Sequence, residues 1–124
     1  MIEAVVDTNF LMLAHQFKLN IPEQLEGLLG SYRMVTCSGV MGELEKLSLG
    51  KGRNGAAARY ALKLVKECNV EVKKSIGDVD EWIVSYCKRR DAVACTVDKK
   101  LRERLKREGV RVVIMRGKKT LEFA

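Results

Sequence analysis

The chain has 124 residues and a formal net charge of +7, with 47% hydrophobic and 31% charged positions. This balance fits a soluble globular chain and excludes disorder; the length fits one domain over residues 1–124. The surplus of cations favours a polyanionic partner, nucleic acid first among them. His15 is the only histidine, which excludes acid–base chemistry by a histidine pair and a histidine-rich metal site. Cys37, Cys68, Cys87 and Cys95 form no CxxC pair, so a zinc knuckle is not expected. Cys37 and Cys95 fall in apolar runs, and reduced, inert thiols are expected. The opening MIEAVVDTNF lacks a basic segment followed by a long apolar run, and no stretch reaches membrane-spanning length. A cytoplasmic location away from membranes is therefore expected.

In chain order, residues 2–6 form a β-branched run that ends at Asp7 and predicts a first strand. Leu25, Leu28 and Leu29 follow Pro22, which suits a helix start. Residues 34–37 predict a second strand. Ser38 is the expected N-cap of a helix carrying Val40, Met41, Leu44 and Leu47. Residues 48–55, SLGKGRNG, read as a loop with three glycines. A phosphate-binding P-loop is excluded because Lys51 is followed by Gly52, not by a hydroxyl residue. A mobile basic loop touching RNA through Lys51 and Arg53 is the functional reading, and a plain surface turn the alternative. Residues 56–68 predict a helix and residues 70–72 a weak third strand. Ile83, Tyr86 and Cys87 mark a helix opened by Asp78 or Asp80. Residues 91–96 predict a fourth strand beginning at Asp91. Leu101 and Leu105 mark a last helix stopped by Gly109, before a fifth strand at 110–115. Strands alternating with helices predict an α/β fold whose parallel sheet is covered on both faces.

Ligands of open α/β sheets bind beyond the carboxyl ends of the strands, and that rule selects four acids. Asp7 follows the first strand, and Asp98 lies two residues past Thr96. Glu43 sits one turn into the helix after the second strand, and Asp80 in the first turn of the helix before the fourth. Clustered carboxylates repel one another unless a cation neutralises them, and hard divalent cations prefer oxygen ligands. Taken singly, each acid has a structural explanation as an N-cap, a dipole partner or a solvated residue. Their meeting at one sheet edge is what points to metal-assisted phosphodiester chemistry.

Asp7-Thr8-Asn9, Glu43-Leu44, Asp80 followed by Ile83, and Thr96-Val97-Asp98 resemble, in order and spacing, the acidic motifs of PIN-domain nucleases. The resemblance covers essentially the whole chain. The stretch VTCSGVMGELEKL, and the end from DEWIV through TVDKKLRERL to VRVVIM, resemble the archaeal and eukaryotic PIN proteins of small-subunit ribosomal RNA processing; VapC toxins share the core. The resemblance implies a three-layer α/β/α fold with about five parallel strands in the order 3-2-1-4-5. It also implies Asp7, Glu43, Asp80 and Asp98 as catalytic ligands of Mg²⁺ or Mn²⁺, with Thr8, Asn9 and Thr96 as polar supports. Asp78 and Glu45 are the alternatives should the register differ by a residue or two. Val97 and Lys99-Lys100 flank the last aspartate where many relatives carry polar or acidic residues, which weakens the case for a second metal.

Lys100, Arg104 and Arg107 lie along one face of the last helix, which begins beside Asp98, and are expected RNA contacts. The expected function is metal-dependent endoribonuclease action in ribosomal RNA processing. The alternatives are a VapC-type toxin, an RNA-binding assembly module with little cleavage, and a phosphate-binding receiver-like domain. The expected partners are RNA, ribosomal or precursor, a second copy of the chain as a homodimer, and an antitoxin on the toxin reading.

Overall fold

The computed structural model describes residues 1–124. The chain runs β1 (Ile2–Val6), α1 (Thr8–Gln16), α2 (Ile21–Leu29), β2 (Tyr32–Cys37), α3 (Ser38–Ser48), α4 (Gly52–Glu67) and β3 (Glu71–Lys73). It continues through α5 (Val79–Arg90), β4 (Val93–Cys95), α6 (Lys99–Arg107), β5 (Val112–Arg116) and β6 (Thr120–Phe123). The sheet order is β3-β2-β1-β4-β5-β6. The first five strands are parallel, in the order expected from the sequence, and β6 is an added antiparallel edge.

Strand alternation divides the core in two. Ala4 and Val6 of β1 face a cluster of 25 buried residues supplied largely by α1 to α4. Val5, Val35, Ala94 and Val112 face a second cluster of 12, closed by α5 and α6. Both sheet faces are therefore covered, which explains the near-continuous apolar strands. No helix is long and apolar enough to cross a membrane.

Several local expectations are corrected. Residues 8–16, which the sequence reading left without an element, form α1. Ser38 is the first residue of α3, not its cap. The cap position belongs to Cys37, which offers no side-chain bond. Ser75 takes over that role from 36 residues away: its Oγ accepts from the Gly39 amide at 2.9 Å, while Ser38 Oγ accepts from the Ser75 amide at 2.8 Å. The expected loop at 48–55 shrinks, because α4 begins at Gly52. A Cβ at Gly55 would lie 2.1 Å from the Gly50 carbonyl oxygen, so only glycine allows this close approach. Arg59 Nη1 donates to the carbonyls of Ser48 at 2.8 Å and Gly50 at 3.1 Å, which fastens the turn. Asp91 does not begin β4; it is the left-handed C-cap of α5, with φ of 52°.

At the β6 edge, Gln24 of α2 does the work of a neighbouring strand. Its Nε2 donates to the Lys119 carbonyl at 2.6 Å, and its Oε1 accepts from the Leu121 amide at 3.0 Å.

Candidate active site

β1 and β4 are adjacent and parallel, with Val6 opposite Cys95, so the residues that follow them emerge side by side. Asp7 leaves β1 as the N-cap of α1, its Oδ1 accepting from the Phe10 amide at 2.8 Å. Asp98 caps α6 in the same manner, with Oδ1 accepting from the Leu101 amide at 3.1 Å. Capping accounts for the local position of each and leaves a second carboxylate oxygen for other work. Thr96 links the two: its Oγ1 donates to Asp7 Oδ2 at 2.5 Å and accepts from the Asp98 amide at 3.0 Å.

Glu43 reaches the same place from α3, where its Oε1 accepts from the Thr8 hydroxyl. Asp80 stands in the first turn of α5, behind the N-cap Asp78, whose Oδ1 accepts from the Asp80 amide at 3.1 Å. The loop before α5 is seated by the Ser38–Ser75 bonds on the start of α3. A Cβ at Gly39 would come within 2.7 Å of Val79 Cγ2, so the two segments meet as closely as glycine permits.

The four acids expected from the sequence, together with Thr8 and Asn9, line one cleft of about 440 Å³. Gly77, Asp78 and Val79 complete its wall, so the lining holds five carboxylates and no lysine or arginine. Asp78 is thus a wall residue in its own right, whereas Glu45 is not. Thr96 lies beneath the wall, buried, and touches the site through Asp7. The carboxylates ring the cleft without converging: no three of them stand close enough to share one ion in this arrangement.

The electrostatics follow from burial and like charge. Asp7 is 7% exposed, and its removal from water pushes its carboxyl up from 3.8 to about 6. The bonds from Thr96 and Phe10 oppose that rise, and the charges of Asp80 and Asp98 add to it. Asp80 is also raised, by burial first and then by Asp78, Asp98 and Glu43, with Arg104 pulling the other way. A cluster of acids that resists ionisation is the condition a bound cation relieves.

A second groove of about 610 Å³ shares Thr8, Asn9 and Glu43 with the first and continues past Gly39 and Gly42 to Lys46 and Leu47. Lys46 was missed in the sequence because nothing marks one lysine on a helix until its groove is seen. The expected RNA contacts divide. Lys100 is exposed two residues past Asp98, and Arg107 is exposed at the end of α6. Arg104 is engaged in a two-pronged ion pair with Glu81. Lys51 and Arg53 are exposed beyond the far end of α3, about 16 Å along the helix from its start at the site. Their turn is held by the Arg59 bonds to the Ser48 and Gly50 carbonyls.

A parallel α/β sheet with an acid cleft beyond its two central strands defines an open α/β scaffold whose site lies where the strand order reverses. The chain belongs to the PIN-like domain family, whose sequence pattern matches residues 4–118. Ribonuclease VapC4 of Methanocaldococcus jannaschii is 32% identical over 128 residues, covering 99% of this chain and 97% of its own. Ribonuclease VapC9 of Archaeoglobus fulgidus is 34% identical over 110 residues, covering 88% of this chain and 79% of its own. The PIN domain endonuclease Utp24 has the same fold, with a TM-score of 0.80 at 24% identity, over 98% of this chain and 90% of that one. VapBC2 from Rickettsia felis, solved bound to a promoter DNA fragment, gives 0.65 at 16% identity, over 93% of this chain and 100% of that one.

Proposed function

We propose that the chain is a cytoplasmic endoribonuclease that uses Mg²⁺ or Mn²⁺ held by Asp7, Glu43, Asp80 and Asp98. The observation that carries this reading is the cleft lined by five carboxylates and no cation, beyond the carboxyl ends of β1 and β4. The all-oxygen donor set fits a hard divalent ion. Two relatives above 30% identity are named ribonucleases, which supports RNA as the substrate.

When bound, the ion supplies Lewis acidity toward the phosphodiester and lowers the pKa of a water nucleophile. The chain's own residues do the rest. Thr96 and the Phe10 amide fix the Asp7 carboxylate by donating to both of its oxygens, so its orientation is set before substrate arrives. Thr8 holds Glu43 by donating to one of its carboxylate oxygens. Asn9, open at the junction of the two grooves, offers an amide to the substrate backbone. Lys46, Lys100 and Arg107 hold phosphates outside the acid ring, where their charge strengthens binding without filling the cleft.

Within this activity we assign the substrate to ribosomal RNA or its precursor, on the motifs of the α3 and α5–β5 stretches. A toxin ribonuclease with an antitoxin partner is the second reading, favoured by the full-length identity to VapC4. The test is cleavage of RNA with Mg²⁺, with Mn²⁺ and with chelator, by wild type and Asp98→Asn. Metal-dependent cleavage lost in the variant supports the enzyme. Salt-sensitive RNA binding without cleavage by wild type in either metal refutes it in favour of an assembly module. Crosslinked RNA mapped from cells then separates the two substrates: reads confined to ribosomal precursor support the first, and growth arrest relieved by a neighbouring gene product supports the second.

A further inference from the structure

Glu81 of α5 and Arg104 of α6 meet across the seam between the two helices. The guanidinium engages the carboxylate with both prongs, Nη1 to Oε1 at 2.8 Å and Nη2 to Oε2 at 2.9 Å. The Arg104 and Glu81 side chains are 37% and 61% exposed, and ion pairs so open to water contribute little to stability. The location of the pair is more telling than its strength. Glu81 follows the cleft residue Asp80 directly, and Arg104 belongs to the helix that starts from Asp98, so the pair lies next to the acid cleft without lining it. The field of Arg104 reaches Asp80, and that of Asp78 reaches Arg104.

An arginine on a flexible stem beside a ring of carboxylates has a strong Coulombic reason to swing into the ring. Its guanidinium would there neutralise the charge that a divalent ion neutralises, and the ion would have to displace it. The planar fork of Glu81 and Arg104 offers the competing site that prevents this, with two charge-assisted hydrogen bonds in matched geometry.

We propose that Glu81 is a positioning residue that restrains Arg104, holding its guanidinium outside the acid cleft so that a divalent cation can enter. The inference rests on the cleft being a metal site. It does not make Arg104 an RNA contact in the resting chain; the arginine becomes free for phosphate only if Glu81 releases it.

The experiment is titration of the full chain with Mn²⁺ alone, without RNA, for wild type, Glu81→Gln, Arg104→Gln and the double variant. With Arg104 present, loss of the Glu81 carboxylate is expected to weaken Mn²⁺ binding by about tenfold, because a tethered cation now competes. In the Arg104→Gln background the same change is expected to cost about threefold or less, the effect of one lost charge screened by water. The double variant is expected within about twofold of wild type, since it removes one charge of each sign. Equal losses on replacing Glu81 in both backgrounds would overturn the restraint and leave a plain charge effect. Weakened binding in all three variants would overturn it in favour of a structural clamp between α5 and α6. If wild type binds no Mn²⁺, the metal reading itself fails, a result distinct from either.

Discussion

Replacing Asp7 by Asn separates the cost of the acid cleft from its use. The Asp7 carboxyl binds its proton up to about pH 6 when folded, against 3.8 for an ordinary aspartate, because burial disfavours the charge. Between those values the folded chain binds more protons than the unfolded chain, so stability falls as pH rises through the window. Above it, the buried carboxylate costs about 3 kcal/mol in the metal-free protein. About half of that cost is already present at pH 5, leaving about 1–2 kcal/mol to develop between pH 5 and pH 8. The asparagine cannot titrate, but it pairs less well with Thr96, whose Oγ1 donates to Asp7 and accepts from the Asp98 amide. That mismatch costs about 1 kcal/mol at every pH. The variant should therefore gain on wild type by about 1–2 kcal/mol from pH 5 to pH 8, read from urea unfolding of the metal-free proteins. At pH 8 it should be the more stable of the two by about 2 kcal/mol. Saturating Mn²⁺ should stabilise wild type and reverse the order. Parallel stability curves for the two proteins across that pH range would refute the reasoning.

Thr96→Val removes the hydroxyl that joins Asp7 to Asp98 and should cost about 1–2 kcal/mol of stability, with a drop in cleavage that added metal only partly restores; unchanged cleavage at low Mn²⁺ would count against the linkage. Gly55→Ala should destabilise more than Gly39→Ala, since its Cβ would meet backbone at Gly50 and not the Val79 side chain; roughly 3 kcal/mol against 1–2 is expected in a denaturation series. Cys68 should be the thiol that reacts with a maleimide in the native state, because Cys37, Cys87 and Cys95 are buried and burial pushes the Cys87 thiol up to about 12; labelling followed by mass mapping reads this directly. Lys100→Gln with Arg107→Gln should weaken RNA binding and lower its salt slope by about 1–2 while leaving Mn²⁺ affinity nearly unchanged, as measured by filter binding over a salt series.

The sheet and its acids were legible because each signal was local. A β-branched run ending in Asp7, or in Thr96 followed by Asp98, places a carboxylate at a strand end without any tertiary information. α1 was hidden for the opposite reason. Phe10, Leu11, Met12, Leu13 and Ala14 are all buried, so the helix shows no polar stripe and no 3.6-residue period. The glycines of residues 48–55 suggested a loop, yet Gly55 is there to let a helix pass the Gly50 carbonyl. β6 is four residues long and owes its register to β5 and Gln24, neither of which marks its own sequence. At the site, the Glu81–Arg104 pair joins residues 23 apart on two helices. The sequence therefore offered Arg104 as a free cation where the fold supplies it with an anion.

The glutamine on α2 has a consequence for how this molecule can associate. A sheet edge is a template, and proteins with open edges are prone to recruit further chains strand by strand. Here the backbone groups of Lys119 and Leu121 that a seventh strand would use are already taken by one side-chain amide. A strand that paired along Lys119 and Leu121 would have to displace both bonds. The amide thus blunts this end of the ladder, where β6 would otherwise present these two groups to an incoming strand.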